Sequence, residues 1–504
     1  MKLIANITSC ALAALLALSI GCSSTEDAKN AKGGKGPKTG DGTVVGPEAE
    51  KHYKAGLAEI ERLDKLPNGW TTETCASTAK QFLDANDAQG KFFAEAVYNA
   101  GASYHRCNNF AEARKHYKEV LDKNEKFHRA RVQLARFDLA EANDAPAALD
   151  KAMVEFERAI ADSEFQNVEA LVEISRLQMR RNNNATDKDG ANDFERAKKN
   201  LQRALAVDDA YMPAFNQLAL YYLERAKQNA GMKSSKVARG AKRSKVDTQA
   251  IDLALLVATQ GIRKNPNYGS IHNTAGLIFV ETGDLNNAVQ RFGAARQLDP
   301  NFFEAHMNYA AVNMLFRGFA KAEEAYRSAV KLKPTDYDAH LGLALALRGQ
   351  IDTAPDGDKK LAEAEQLITK AKTLDGARPE AYFNHAILVQ EYKAKASGEA
   401  GNKALEEAIG LFEEFVKKAS GKAEFADAVD DVKAVPTKAD KDCLGPRGRA
   451  DKACKRGRIK DIKEIIEFTR QSAAEQKKLA EEAKNRAALD EAGAEGGAEA
   501  APQP

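Results

Sequence analysis

Residues 269–302 read GSIHNTAGLIFVETGDLNNAVQRFGAARQLDPNF, and residues 303–336 read FEAHMNYAAVNMLFRGFAKAEEAYRSAVKLKPTD. Laid over one another at a spacing of 34, Gly276, Ala288, Phe292, Ala295 and Pro300 fall on Ala310, Ala322, Tyr326, Ala329 and Pro334. The order small, small, aromatic, small, proline has a packing meaning. Small residues let two helix backbones approach at their crossing, an aromatic fills the gap beside them, and proline ends the second helix. Each copy therefore predicts a pair of antiparallel helices, here called A and B.

Weaker copies follow outward in the same register. Gly101, Tyr104, Ala113 and Tyr117 make one, and Ala135, Ala152, Phe156 and Ala159 the next. Ser175, Ala197, Leu201 and Ala204 make a third, and Ala219, Tyr222, Ala254 and Pro266 a fourth. Downstream come Ala344, Ala364, Ile368 and Ala371, then Ala386, Ala408 and Phe412. About eight copies thus lie between Ala94 and Ala419, with a degenerate helical pair at Pro47 to Ala85 as an N-terminal cap. Insertions of about 5 to 23 residues fall between helix A and helix B, on the edge where a repeat stack tolerates them.

This pattern resembles the tetratricopeptide repeat. The resemblance implies an all-α, right-handed superhelical solenoid of about eight helix–turn–helix repeats with long intra-repeat insertions. It also implies that helix A side chains line a concave groove. The sixth position of the repeat holds Asn99, Gln133, Gln217, Asn308 and Asn384, amides able to donate to and accept from an extended peptide backbone. The second position holds Glu95, Glu169, Glu304, Asp338 and Glu380, acids expected to repel a carboxylate partner and favour a basic or neutral one.

The ends of the chain speak to compartment. Met1 to Cys22 carries Lys2, an apolar run from Cys10 to Ile20, and then Gly21-Cys22, which reads as an export signal. Cysteine directly after glycine resembles the bacterial lipoprotein signal, which implies lipidation of Cys22. Ser23 and Ser24, rather than Asp, imply the outer membrane, facing the periplasm. The expected organisation is a signal peptide at 1–21, a flexible tether at 22–46, the helical cap at 47–93 and the repeat array at 94–420. A basic disulfide-containing segment at 421–457, a C-terminal helix at 458–487 and a disordered tail at 488–504 complete it. Four cysteines beyond the signal, Cys75, Cys107, Cys443 and Cys454, allow three pairings. The resemblance places Cys75 near the start of one helix B and Cys107 at the end of the next helix A, neighbouring ends. It thereby implies Cys75–Cys107 and leaves Cys443–Cys454 around a short Gly/Pro loop, bonds that need an oxidising compartment.

Chemistry is sparse. His272, His306 and His340 are 34 apart but occupy equivalent positions in successive copies, too far apart to share a metal, and are expected to pack between helices. Asp352 to Glu363 and Asp187 to Gly190 imitate calcium loops imperfectly and read as turns. Neither a nucleophile–base pairing nor a phosphate loop is visible, so neither an enzyme nor a cofactor or metal site is expected. Net charge is +2, which gives no global case for nucleic acid. Lys227 to Lys245 and Lys438 to Lys460 are locally basic and could meet anionic cell-wall or lipid groups. The reading that gathers these features is a lipid-anchored scaffold for envelope proteins. Its overall organisation resembles the tetratricopeptide lipoproteins of the myxobacterial adventurous gliding machinery. The alternatives are a lipoprotein that assists a pilus secretin, or a cell-wall-binding protein acting through its basic segments.

Overall fold

The computed structural model describes residues 37–40, 42–66, 69–143, 145–186, 190–234, 247–396, 398–433 and 457–495. Within them 20 α-helices follow one another, and no strand longer than an isolated bridge occurs. The described residues fall into two compact units, one ending at Arg291 and the other beginning at Phe292.

In the first unit the antiparallel pairs are α1 (Pro47–Asp64) with α2 (Thr72–Gln89), α3 (Ala94–Arg106) with α4 (Phe110–Lys123), and α5 (His128–Glu141) with α6 (Pro146–Asp162). Then come α7 (Val168–Arg181) with α8 (Asp193–Val207), and α9 (Met212–Ser234) with α10 (Thr248–Lys264). The next helices are α11 (Gly269–Thr282) and α12 (Leu285–Leu298), the latter spanning the boundary. In the second unit α13 (Phe303–Leu315) packs with α14 (Phe319–Leu332), α15 (Tyr337–Arg348) with α16 (Gly357–Leu374), and α17 (Glu380–Glu391) with α18 (Glu399–Ala419). There α19 (Ala426–Lys433) and α20 (Arg458–Glu495) pack on α18.

These helices form where the period requires. In α14 the buried residues are Ala322, Ala325, Tyr326 and Ala329, and in α16 they are Ala364, Ile368 and Ala371, the one-sided stripe of a helix that buries a single face. The predicted small-to-aromatic contact is tight. A Cβ on Gly101 would lie 3.0 Å from the Tyr117 ring, and at Gly342, outside the predicted set, one would lie 2.5 Å from the Tyr326 ring. Connections from helix B to the next helix A are short, and the long insertions open on the other edge, between α7 and α8, α9 and α10, α15 and α16, and α17 and α18. In five of the A-to-B connections a left-handed residue stands just past helix A: Asn108, Asn143, Asn182, Gly283 or Arg317.

The three in-register histidines are packing residues, and each also has a specific bond. Nε2 of His272, His306 and His340 lies 2.9, 2.9 and 2.8 Å from the carbonyl oxygens of Pro266, Pro300 and Pro334. A carbonyl only accepts, so Nε2 carries the proton. Each histidine ties its helix A to the turn that ended the preceding repeat. Burial holds His272 and His306 below the ordinary imidazole range.

Two boundaries differ from expectation. The tether was expected to run to residue 46, but Lys38 and Val44 form an antiparallel bridge, and Val45 enters the core with Ala49, Ile60, Ala79 and Phe82. Gln89 grips this segment from both sides, accepting from Gly46 N at 2.9 Å and donating to Val44 O at 3.0 Å. The C-terminal helix runs to Glu495 rather than ending at 487, in keeping with the helix-favouring Ala488, Leu489, Glu491, Ala492 and Ala494 of that stretch. The basic segment at 434–456, with Cys443 and Cys454, lies outside the described residues, as do Cys22 and the signal peptide. Among the described residues no helix is long and apolar enough to cross a membrane.

Candidate partner-binding faces of the helix A layer

Within each unit, helix A of one repeat touches helix A of the next, as α7 does α9 and α13 does α15. The predicted groove residues sit in this layer. Asn99 is buried and its Nδ2 donates to the Tyr53 hydroxyl at 2.9 Å. Gln133 is fully buried, and its Nε2 lies 2.9 and 3.0 Å from the two carboxylate oxygens of Glu169. Gln217 Nε2 reaches Met179 Sδ at 3.2 Å. In the second unit Asn308 is buried, while Asn384 is half-buried, donating to Glu380 O at 2.9 Å and accepting from Arg348 at 3.2 Å. Asn99, Gln133, Gln217 and Asn384 thus pin one helix to another, and charged side chains lie between them.

In the first unit that surface is an alternation of bases and acids. Arg129, Gln133 and Arg136 share one stripe of α5, spaced by four and three residues. Facing them on α7, Glu169 accepts from Arg136 at 2.8 Å and Glu173 pairs with Arg176 at 2.6 Å. Burial works against the charge of Arg136, but Glu173 and Glu169 outweigh it and hold the guanidinium protonated more firmly than usual. In the second unit Lys333 lies 3.2 Å from Glu304, and Arg378 holds Asp338 through both guanidinium nitrogens while also reaching Glu380 at 3.0 Å.

The second-position acids are therefore corrected from free repulsive charges to paired ones. Glu95 accepts from Gly40 N at 2.7 Å, and the other four each meet a lysine or arginine. A row of acids one helix apart would repel itself, and the bases that relieve this come from sequence-distant turns and neighbouring helices. Sequence inspection missed Arg129, Arg136 and Arg378. Arg129 was findable, because it occupies the second repeat position where the neighbouring copies carry Glu95 and Glu169.

The structure joins Cys75, buried in α2, to Cys107, the residue that caps α3, with the Cα atoms 6.3 Å apart. The single tryptophan lies beside this bond. Trp70 donates to Asp64 at 2.8 Å and lies under the Arg106 guanidinium at 4.8 Å. Of the basic segments, Lys227 sits 3.5 Å from Glu281 and Arg458 sits 2.7 Å from Asp431.

One cluster among the described residues brings potential metal ligands together: Glu365 of α16, His385 of α17 and Glu407 of α18, within 4.8 Å. Lysines already supply the positive charge there. Lys393 Nζ lies 2.8 Å from Glu365 and 3.2 Å from Glu407, and Lys372 Nζ is 2.7 Å from His385 Nδ1. The cluster is an ion-pair knot that fastens three helices. The Asp352 to Glu363 stretch is not drawn around a common centre. Asp352 pairs with Lys395 at 2.9 Å and Glu363 with Arg327 at 2.6 Å. Asp187 and Asp189 lie outside the described residues.

No known family's sequence pattern matches the chain, and no curated protein matches it. Solved structures to which it is similar include a tetratricopeptide protein of Thermus thermophilus, at 22% identity over 44% of this chain and 98% of that one, with a TM-score of 0.34. Another is a tetratricopeptide repeat protein from Parabacteroides merdae, at 14% identity over 60% of this chain and 97% of that one, with a TM-score of 0.35. A third is MamA from Desulfovibrio magneticus, at 20% identity over 40% of this chain and 97% of that one, with a TM-score of 0.30.

Proposed function

We propose that the chain is an exported, Cys22-lipidated helical scaffold that holds protein partners of a cell-envelope complex against its helix A faces. The observation that carries this reading is the braced polar layer. Its charged side chains are fixed by cross-helix bonds such as Arg136–Glu169 and Arg378–Asp338, so a partner meets groups already in position and orders little on binding. The Cys75–Cys107 bond supports an oxidising compartment. The reading requires no catalytic group, cofactor or nucleic acid.

The test is photo-crosslinking in cells from a helix A position, Arg176, against a helix B position, Lys118, with Cys22→Ala as the anchoring control. Partners should be captured from the first position and not the second, and the Cys22→Ala chain should leave the membrane fraction. Equal capture from both positions would refute the helix A assignment. The organisation of lipoprotein signal, long tether, large insertion-rich array and Lys/Ala-rich tail supports the gliding machinery as the complex concerned. Recovery of a secretin would favour the pilus alternative. Peptidoglycan binding that depended on residues 438–460 would favour the cell-wall alternative.

A further inference from the structure

We propose that Lys372 is an acyl-acceptor site: its amine, with His385 as general base and Glu365 as the positioning residue behind it, takes an acyl group from an ester or thioester and keeps it as an amide. The site lies where α16, α17 and α18 meet, and it is independent of the partner-binding reading.

The two lysines of this ion-pair knot differ in what they touch. Lys393 Nζ bridges two carboxylates, Glu365 at 2.8 Å and Glu407 at 3.2 Å. Burial opposes its charge, but the two bonds outweigh burial and hold the ammonium above its ordinary range. Lys372 is half-buried and meets an imidazole instead, with Nζ 2.7 Å from His385 Nδ1. It shares the Tyr382 ring with Lys418, the two nitrogens lying 5.4 and 4.7 Å from the ring centre. Here burial outweighs the pull of Glu407 and Glu365, and the Lys372 amine is held below the ordinary lysine range.

Glu365 fixes where the protons lie. His385 Nε2 faces Glu365 Oε1 at 3.4 Å, and a carboxylate only accepts, so Nε2 carries the ring proton and Nδ1 is left to accept from Lys372. Burial, and then the neighbouring Lys372, lower His385 and keep its imidazole neutral. Amine, imidazole and carboxylate thus stand in the order nucleophile, base and orienting group. With one N–H of the amine directed to Nδ1, the Lys372 lone pair is free to attack. It forms a C–N bond to the acyl carbon, and the nitrogen, now cationic, passes a proton to Nδ1 while the Glu365 carboxylate stabilises the imidazolium. The C–O or C–S bond then breaks with its electron pair, and the departing oxygen or sulfur takes that proton and leaves as an alcohol or thiol. The amide left on Lys372 is stable, so the site is modified once and does not turn over.

The experiment exposes the full-length mature chain to limiting 4-nitrophenyl acetate, an ester, or acetylthiocholine, a thioester, and reads the acetylation of each lysine by mass spectrometry after digestion. Lys51 and Lys417, exposed on α1 and α18, are the internal references. Near neutral pH Lys372 should be acetylated about 10-fold faster than either, the gain in free amine for each unit by which a lysine pKa falls. Its rate should also level off at a lower pH than theirs. His385→Gln keeps an acceptor for the amine but supplies no base, and should remove most of the advantage. Glu365→Gln should move the Lys372 profile to still lower pH, because the Glu365 charge favours the ammonium, and should lower its plateau, because the imidazolium loses its support. In concentrated urea the advantage should vanish, a comparison that needs no variant. Lys372 reacting no faster than the two references in the folded chain would overturn the proposal, and so would an advantage that survived in urea. A His385→Gln chain, shown by circular dichroism to be folded, whose Lys372 kept its full rate and pH profile would overturn it as well.

Discussion

At the scale of single residues, the histidines make the protein sensitive to acid. His105 is buried among Phe110, Tyr117 and Phe137, and burial, helped by Arg136 and Arg106, lowers it to about 4. Burial and Arg129 bring His128 to about 4 as well. Both are held neutral in the folded chain, whereas in the unfolded chain they take up a proton near the ordinary value. Stability is therefore full above about pH 6.5 and falls as pH drops from there toward 4, by about 1–2 kcal/mol per histidine between pH 7.5 and 5. Urea midpoints measured across this range should decline, and His105→Phe should make the decline shallower; an unchanged slope would remove His105 from the account. The Gly342 contact is equally specific. Gly342→Ala should cost about 1–3 kcal/mol, because its Cβ would strike the Tyr326 ring. Gly410→Ala, with open space around it in α18, should be neutral or stabilising by up to about 1 kcal/mol. Thermal melts of the two variants separate these effects.

The elements were the most legible level. The spacing of Ala322, Tyr326 and Ala329 placed α14, and the prolines at 266, 300 and 334 each stand two residues past the end of a helix. What the spacing could not show is which side chains meet across repeats. Glu169 is 33 residues from Arg136 and Asp338 is 40 from Arg378. Their pairing depends on how successive helices A lie beside one another, and in sequence both acids read as unbalanced charges. The sixth-position amides lie on helices A within each unit, and the burial of Asn99, Gln133, Gln217 and Asn308 was hidden for the same reason. Element structure also carries a prediction at the A-to-B turns. Arg317 stands in the left-handed conformation that Gly283 holds one period earlier, at φ of 56° against 81°. An ordinary side chain pays for that conformation, so Arg317→Gly should raise stability by about 0.5–1 kcal/mol, visible as a higher melting temperature. A fall would mean that the exposed arginine makes a compensating contact.

For the whole molecule, neighbour-only packing makes cooperativity local. Each pair of helices leans on its neighbours, and the contacts divide the chain into two units. Unfolding should then lack the single coincident transition of a small domain. Trp70 reports only on the first repeats, because its partners are Asp64 and Arg106, while helix ellipticity reports on everything. The two denaturation curves should not superimpose. Reduction of Cys75–Cys107, with a sequence separation of 32, should move the tryptophan curve by about 3–4 kcal/mol and leave most of the ellipticity curve in place. Curves that coincide and shift together would show that the repeats unfold as one body.

The histidine-to-proline bond bears on how such a chain can lengthen. Its two halves lie on opposite sides of a repeat junction, the carbonyl at the end of one copy and the imidazole six residues later in the next. Duplicating or excising a whole period conserves that offset at the new junction. Removing residues 303–336, for example, would set Pro300 six positions before His340, ready to form the same bond. Gains and losses in whole periods thus carry their own fastening, whereas a change of any other length at the junction leaves an imidazole and a carbonyl buried without each other.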